Sequence, residues 1–284
     1  MYFNVGSEKS NLLFINRRGI RVQGSVDQRL FFHTDIIETQ LSVPAYVHDY
    51  VDLNQTFPGA GLYKIYNSKI LKINGAYDFL IAEAAVEYNL SKHIEISLGH
   101  GRHFIGSGIR SLFLSDFSAP HFFLQINTNV WKLHYQNLFT ELSPESLGDQ
   151  GNHLIEKKYM AAHYLSINLK KNWNVGIFES VVFARKSGFE LQYLNPVILY
   201  RFIEHSLGSP DNVFIGLHSN VLLANKFSLY GQMLLDEFIL KEFFSSKGWW
   251  GNKYAFQVGC KYINAFNIQN LYLQLEYNQV RPYT

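Results

Sequence analysis

The chain has 284 residues, 47% of them hydrophobic and 16% aromatic, with a formal net charge of only +2. That length bounds it to one large domain or two small ones. The small charge and the lack of a long Lys/Arg run argue against a nucleic-acid binder, and a charged fraction of 17% argues against disorder.

The 18 Tyr and 23 Phe are a heavy load for a soluble α/β enzyme and suit strands and membrane-interface girdles. Cys260 is the single cysteine, so no internal disulfide forms, and it fixes no compartment. Met1-Tyr2-Phe3-Asn4-Val5-Gly6 shows neither a basic n-region nor an apolar h-region, so the chain is expected to be a mature segment or fragment of an exported protein. No run of about 18 apolar residues occurs, which excludes helical spanning and leaves strands as the one way into a bilayer.

In chain order, a hairpin over roughly 18–26 and 28–39 is followed by a long insert at 40–77. Pro44 opens a helical stretch to Leu53 inside that insert. Then Leu80, Ala82, Ala84, Val86, Tyr88 and Leu90 make an apolar face opposite Glu83, Glu87 and Asn89. Ser91-Lys92 turns the chain, and Ile94, Ile96 and Leu98 repeat the alternation. The same period of two recurs near 131–136, 165–169, 213–220, 227–236, 254–262 and 271–278. Pro196–His205 reads as a second helical stretch.

Short turns are expected at Ser91-Lys92, Asn127–Asn129, Lys171-Asn172, Ala224-Asn225 and Ala265–Gln269. Long segments at about 102–120, 139–157, 186–212 and 238–252 separate the hairpins, and 40–77, 102–120, 186–212 and 238–252 are candidates to plug or cap the structure. About twelve strands of about ten residues, with short turns at one end and long loops at the other, predict an all-β, antiparallel transmembrane outer-membrane β-barrel. A soluble β-sandwich also alternates. It would not confine its long loops to alternate connections, and its outward faces would carry more Lys, Glu and Thr. The whole of 1–284 reads as one barrel domain, incomplete at both ends.

Few motifs point to chemistry. Gly99–Arg110 is glycine-dense, but Ser107 stands where a phosphate-binding loop needs Lys, so the segment reads as a strand end entering a loop folded into the lumen. His100, His103 and His121 lack the converging set a metal needs. Ser115 and Asp116 lie in no nucleophile elbow. No catalysis, cofactor or metal is expected. Arg110, Asp116 and Arg201 read as lumen and loop charges or contacts to a glycan. Trp249, Trp250, Asn252 and Lys253 form the best glycan-contact or plug group, because tryptophan faces stack on sugar rings.

Several segments together carry a resemblance: 106–120 (GSGIRSLFLSDFSAP), 189–196 (FELQYLNP), 208–212 (GSPDN), 235–238 (LDEF), 248–253 (GWWGNK) and 275–283 (LEYNQVRPY). They resemble the Wzi-like capsule-assembly family of outer-membrane proteins, in the Bacteroidetes branch that includes the gliding-motility protein RemB. That resemblance implies a monomeric barrel of about eighteen strands, plugged by loops, on the cell surface. It implies attachment of capsule or exopolysaccharide through extracellular loops, with outer-membrane lipid and surface polysaccharide as partners. A structural part in a gliding, adhesion or secretion apparatus and a solute channel are the alternatives.

Overall fold

The computed structural model describes residues 13–70, 73–143, 157–185, 188–196, 200–208, 211–236 and 253–281. In order these form β1 (Ile15–Val26), β2 (Leu30–Leu41), α1 (Ala45–Asn54), β3 (Lys64–Ser68), β4 (Ile73–Asn89), β5 (Ile94–Gly101), β6 (His121–Val130), β7 (Leu133–Leu142), β8 (Lys158–Lys170), β9 (Trp173–Phe183), α2 (Tyr200–Leu207), β10 (Asn212–Leu223), β11 (Phe227–Asp236), β12 (Lys253–Ile263) and β13 (Tyr272–Val280).

Every pairing is antiparallel between chain neighbours, except that β3 pairs only with the start of β4, which continues the sheet beside β2. Short β3 is the strand that brings the expected twelve to thirteen among the described residues. Its alternation is too brief to stand out within 40–77.

The short turns explain themselves locally. Asp27-Gln28 and Ala224-Asn225 both hold φ between +48° and +54°, the mirror-image hairpin geometry that matches the twist of the flanking strands. The turn expected at Asn127–Asn129 lies inside β6 instead, and the chain reverses at Trp131-Lys132, where Trp131 has φ +56°. The polar Asn-Thr-Asn run misled because Asn127 belongs to a wet face: its amide donates to Glu95 at 3.0 Å.

Register assigns two faces. One carries Glu83, Glu87, Glu95, Asn127, Gln136, Ser166, His218, Gln232, Gln257 and Glu276. The other carries Val22, Ile36, Val86, Leu98, Ile177, Leu217, Met233, Val258 and Leu275, all exposed. Rows of exposed aliphatic side chains are costly in water and correct against lipid. Exposed Trp131, Phe266 and Tyr272, with Trp173 and the stacked Phe227–Tyr262 pair, gather at the short-turn end, as an interfacial aromatic girdle requires.

The wet face is concave. Ile105 lies four residues beyond the end of β5, yet its carbonyl accepts from Gln232 Nε2 on β11 at 3.0 Å. Six strand spacings in a flat sheet would part β5 from β11 by about 29 Å. Four residues reach at most about 14 Å, so the sheet must curl as a barrel wall does.

The two helical segments settle on opposite faces. α1 follows Pro44 and packs Val51 with Val43 and Phe57 against Tyr77, Phe79 and Ile81 on the concave side. The second segment behaves differently from expectation. Pro196 sits in a bend after a 3₁₀ turn at Leu191–Leu194, and the helix of this segment among the described residues is α2, Tyr200–Leu207. Residues 189–196 and 200–207 do not enter the lumen. These described parts of the segment strap the convex wall, with Tyr193, Tyr200, Ile203 and Leu207 packed on Phe139, Ala161, Val181 and Phe183. The strap is rooted where Arg185 donates to both carboxylate oxygens of Asp211, at 2.8 and 2.5 Å, while Tyr193 donates to the same group at 2.7 Å. Asp211 and its neighbours in turn hold the Arg185 guanidinium above its ordinary pKa.

The strap covers a polar row. Asn137, His163 and Glu179 are register neighbours on the convex face of β7, β8 and β9. Glu179 lies six residues up β9 from Trp173, about 20 Å of strand and, at a tilt of about 40°, about 15 Å of height. A bare carboxylate there would face hydrocarbon. Under the strap it accepts from the Arg201 N–H at 3.3 Å, and His163 Nε2 meets the Tyr200 hydroxyl at 2.7 Å.

Candidate functional site

The sharpest local construction is the loop between β5 and β6, which crosses the concave side. Its neck is a two-stranded contact, Ile105 N–H to Leu114 O at 3.0 Å. Its apolar side is built into the wall. Ile105 and Phe113 are buried with Phe123, Leu138, Met160 and Phe178, and the Phe113 and Phe178 rings stack 4.6 Å apart at 2°. Such a stack adds about 1 kcal/mol to the area buried.

Its polar side is held by wall side chains of β10 to β13. Gln232 Oε1 accepts from Leu112 N–H at 2.9 Å, Gln257 donates to the Arg110 carbonyl at 2.8 Å, and Glu276 accepts from Ile109 N–H at 2.8 Å. These interactions replace the water that a loop backbone inside a lumen would otherwise need. Gly108 permits the approach: a Cβ there would collide with Glu276 and the Arg110 carbonyl.

Ser107 sits 3.1 Å from His218 Nε2 and accepts from Asn220 Nδ2 at 3.0 Å, while His218 Nδ1 faces the Tyr164 hydroxyl at 3.0 Å. A nucleophile needs a base oriented by a third group, most often a carboxylate. His218 meets a phenol, and Ser107 is pinned to the wall from two sides. The arrangement docks the loop.

At the other root of the loop, Arg102 donates to Glu83 at 2.6 Å and to the Asp116 carbonyl at 3.4 Å. His103 stands edge-on to Phe123, 4.3 Å between ring centres. Burial, helped by nearby His121, pushes its pKa down to about 4. The unfolded chain takes up that proton near pH 6.5, and the folded loop resists it until about pH 4. Stability from neutral His103 is therefore present above about pH 6.5 and lost as pH falls toward 4, by about 2 kcal/mol after allowance for partial exposure. Amide exchange of residues 102–119 should quicken across that window, and His103→Leu should remove the dependence. An unchanged acid response in that variant would assign the effect elsewhere.

The residues singled out by sequence part company here. Arg110 and Asp116 do come together, 3.6 Å apart, with the Arg110 guanidinium 4.7 Å over the Phe117 ring. Arg201 lies on the convex strap and pairs with Glu204 at 2.9 Å, so it shares no site with them. Lys253 begins β12 and pairs with Asp236 at 3.5 Å on the concave side. Trp249, Trp250 and Asn252 lie outside the described residues. Among the described residues no three His, Cys, Asp or Glu converge to hold a metal ion. His103 and His121 are near neighbours, 5.6 Å between ring centres, but His100 points to the convex face.

Sequence reading missed Gln232, Gln257, His218 and Glu276 as loop anchors. The available signal was their place on the polar side of alternating strands. Nothing in one sequence says which loop they meet. Nearer the short turns the concave face carries Glu87 and Glu95, diagonal neighbours about 7–8 Å apart. Among the described residues neither makes an ion pair.

No protein-family profile matches the sequence, and no curated protein matches it. The fold is similar to two crystal structures from Pseudomonas aeruginosa. OccK3 (OpdO) aligns at TM-score 0.51 and OpdO at 0.50, each at 12% identity over 94% of this chain and 65% of theirs. The chain thus spans about 65% of the length of those structures. Curled antiparallel sheet, lipid-facing exterior and alternation of short turns with long connections agree with that likeness: the chain has the fold of an outer-membrane β-barrel and is a protein of the outer membrane.

Proposed function

We propose that the protein is an outer-membrane channel for small polar solutes, narrowed by the inward-folded loop 102–119. The observation that carries this reading is the concave face. It is lined by hydrogen-bonding side chains and crossed by a loop whose backbone is tied to it at Gln232, Gln257 and Glu276. A wall polar toward its interior supports an aqueous path, and a packed loop supports a limit on solute size. No reaction is catalysed in this reading. Purified protein in planar bilayers should give small, discrete current steps; a barrel that never conducts would overturn it.

Glu87 and Glu95 set the expected selectivity, because carboxylates on a lumen wall with no ion pair among the described residues raise the local cation concentration. Joint Glu87→Gln and Glu95→Gln substitution should move the reversal potential in a KCl gradient toward anion preference. No movement would place the conducting path away from β4 and β5.

A second reading keeps the surface role implied by the Wzi-like resemblance: attachment of capsule or exopolysaccharide. One feature favours it, the exposed grouping of Arg110, Asp116 and Phe117, which offers a ring face with a cation and a carboxylate beside it. Extracted surface polysaccharide should then bind the protein, and Arg110→Ala should weaken binding. A protein that ignores glycan and co-purifies with motility or secretion components would favour the machinery role.

A further inference from the structure

The strap on the convex wall presents a second surface, outward, that neither the lumen nor the sheet uses. Tyr200, Ile203, Glu204 and Leu207 turn toward the wall, at the spacing of one helix face. The opposite side leaves Phe202 70% exposed, and Leu191, in the turn before it, is 72% exposed. Arg201 and His205 stand beside Phe202. The neighbouring wall is the lipid-facing band itself: Ile215 pairs in register with Glu179 beneath the strap, and Ile177 with Leu217, and all three apolar residues are exposed.

We infer that the outward face of residues 191–196 and 200–205 is a lipid-binding surface, in which Phe202 and Leu191 enter the acyl-chain boundary of the outer leaflet while Arg201 and His205 reach toward its headgroups. The inference rests on the membrane placement of the barrel. Three observations support lipid as the occupant. The apolar side chains continue a wall that already meets lipid. They alternate with long polar side chains, as an interfacial rather than a deeply immersed segment requires. Among its described residues the strap is largely helical, Leu191–Leu194 and Tyr200–Leu207, so few of their amide groups are left bare at that depth.

The test uses spin labels on the full chain in vesicles of phosphatidylethanolamine and phosphatidylglycerol. With Cys260→Ser as background, Phe202→Cys and, separately, Leu191→Cys are labelled. Leu217→Cys serves as the wall reference and Tyr46→Cys as the aqueous one. The expected result is an oxygen-to-nickel-chelate accessibility ratio at both strap positions close to that of position 217 and several-fold above that of position 46. A ratio like that of position 46 would put the strap in water and overturn the inference. Low collision with both reagents would mean a protein partner, such as a second copy, covers the face, and would equally overturn it. Should position 217 itself read as aqueous, the membrane placement fails, a result distinct from failure of the strap alone.

Discussion

Replacing residues 105–116 with a short glycine–serine link is expected to raise the single-channel conductance severalfold. The loop occupies the space in front of His218, Asn220, Gln232, Gln257 and Glu276, and each of these now has at least one hydrogen bond to a loop atom. With the loop gone, the same groups would face water, which solvates them at little cost. The apolar half of the contact resists simple opening. Ile105, Leu112, Phe113 and Leu114 share one cluster with Leu138, Met160 and Phe178 of the wall, so the loop is a packed part of the structure and not a hinged flap. Phe113→Ala should accordingly cost about 3–5 kcal/mol in the unfolding of the loop. That single change should raise conductance less than full replacement, because Gln232 and Glu276 still hold the backbone. Equal conductance in parent and shortened protein would mean that ions pass elsewhere or not at all.

The wall was legible in the sequence, and the loops were not, for a physical reason. Period-two alternation is imposed along each strand by lipid on one side and water on the other, so Leu80 to Leu90 or Phe227 to Asp236 can be read without knowing any neighbour. Loop 102–119 was also readable as inward-folded, since its glycines suit close backbone approach. Its anchors were hidden because they lie more than a hundred residues away in sequence, on four later strands. The seat of the strap was hidden for a different reason. Asn137, His163 and Glu179 look like ordinary polar interruptions of an apolar row. Only register and the seat of Tyr200 reveal that the row is convex and covered.

Tyr200 is where the strap is most exposed to a test. It is fully buried, stacks 4.2 Å from the His163 ring, and makes the 2.7 Å bond to Nε2 of that histidine. Burial pushes its hydroxyl pKa up, so it stays neutral through any working pH. Tyr200→Phe keeps the ring and removes the hydroxyl, leaving His163 Nε2 without its partner under the strap. The cost should be about 1–3 kcal/mol, the penalty for a buried polar atom left alone. Tyr200→Ala also empties the space between Tyr193 and the sheet and bares Glu179 and His163 to lipid. The loss should reach about 3–5 kcal/mol. Urea unfolding of vesicle-inserted protein, followed by tryptophan fluorescence, reads both. Should the phenylalanine variant match the alanine variant, the hydroxyl–imidazole bond and not the ring seats the strap. Should neither lose stability, the polar row on β7 to β9 is tolerated without its cover, and the strap has no structural reason to lie on the wall.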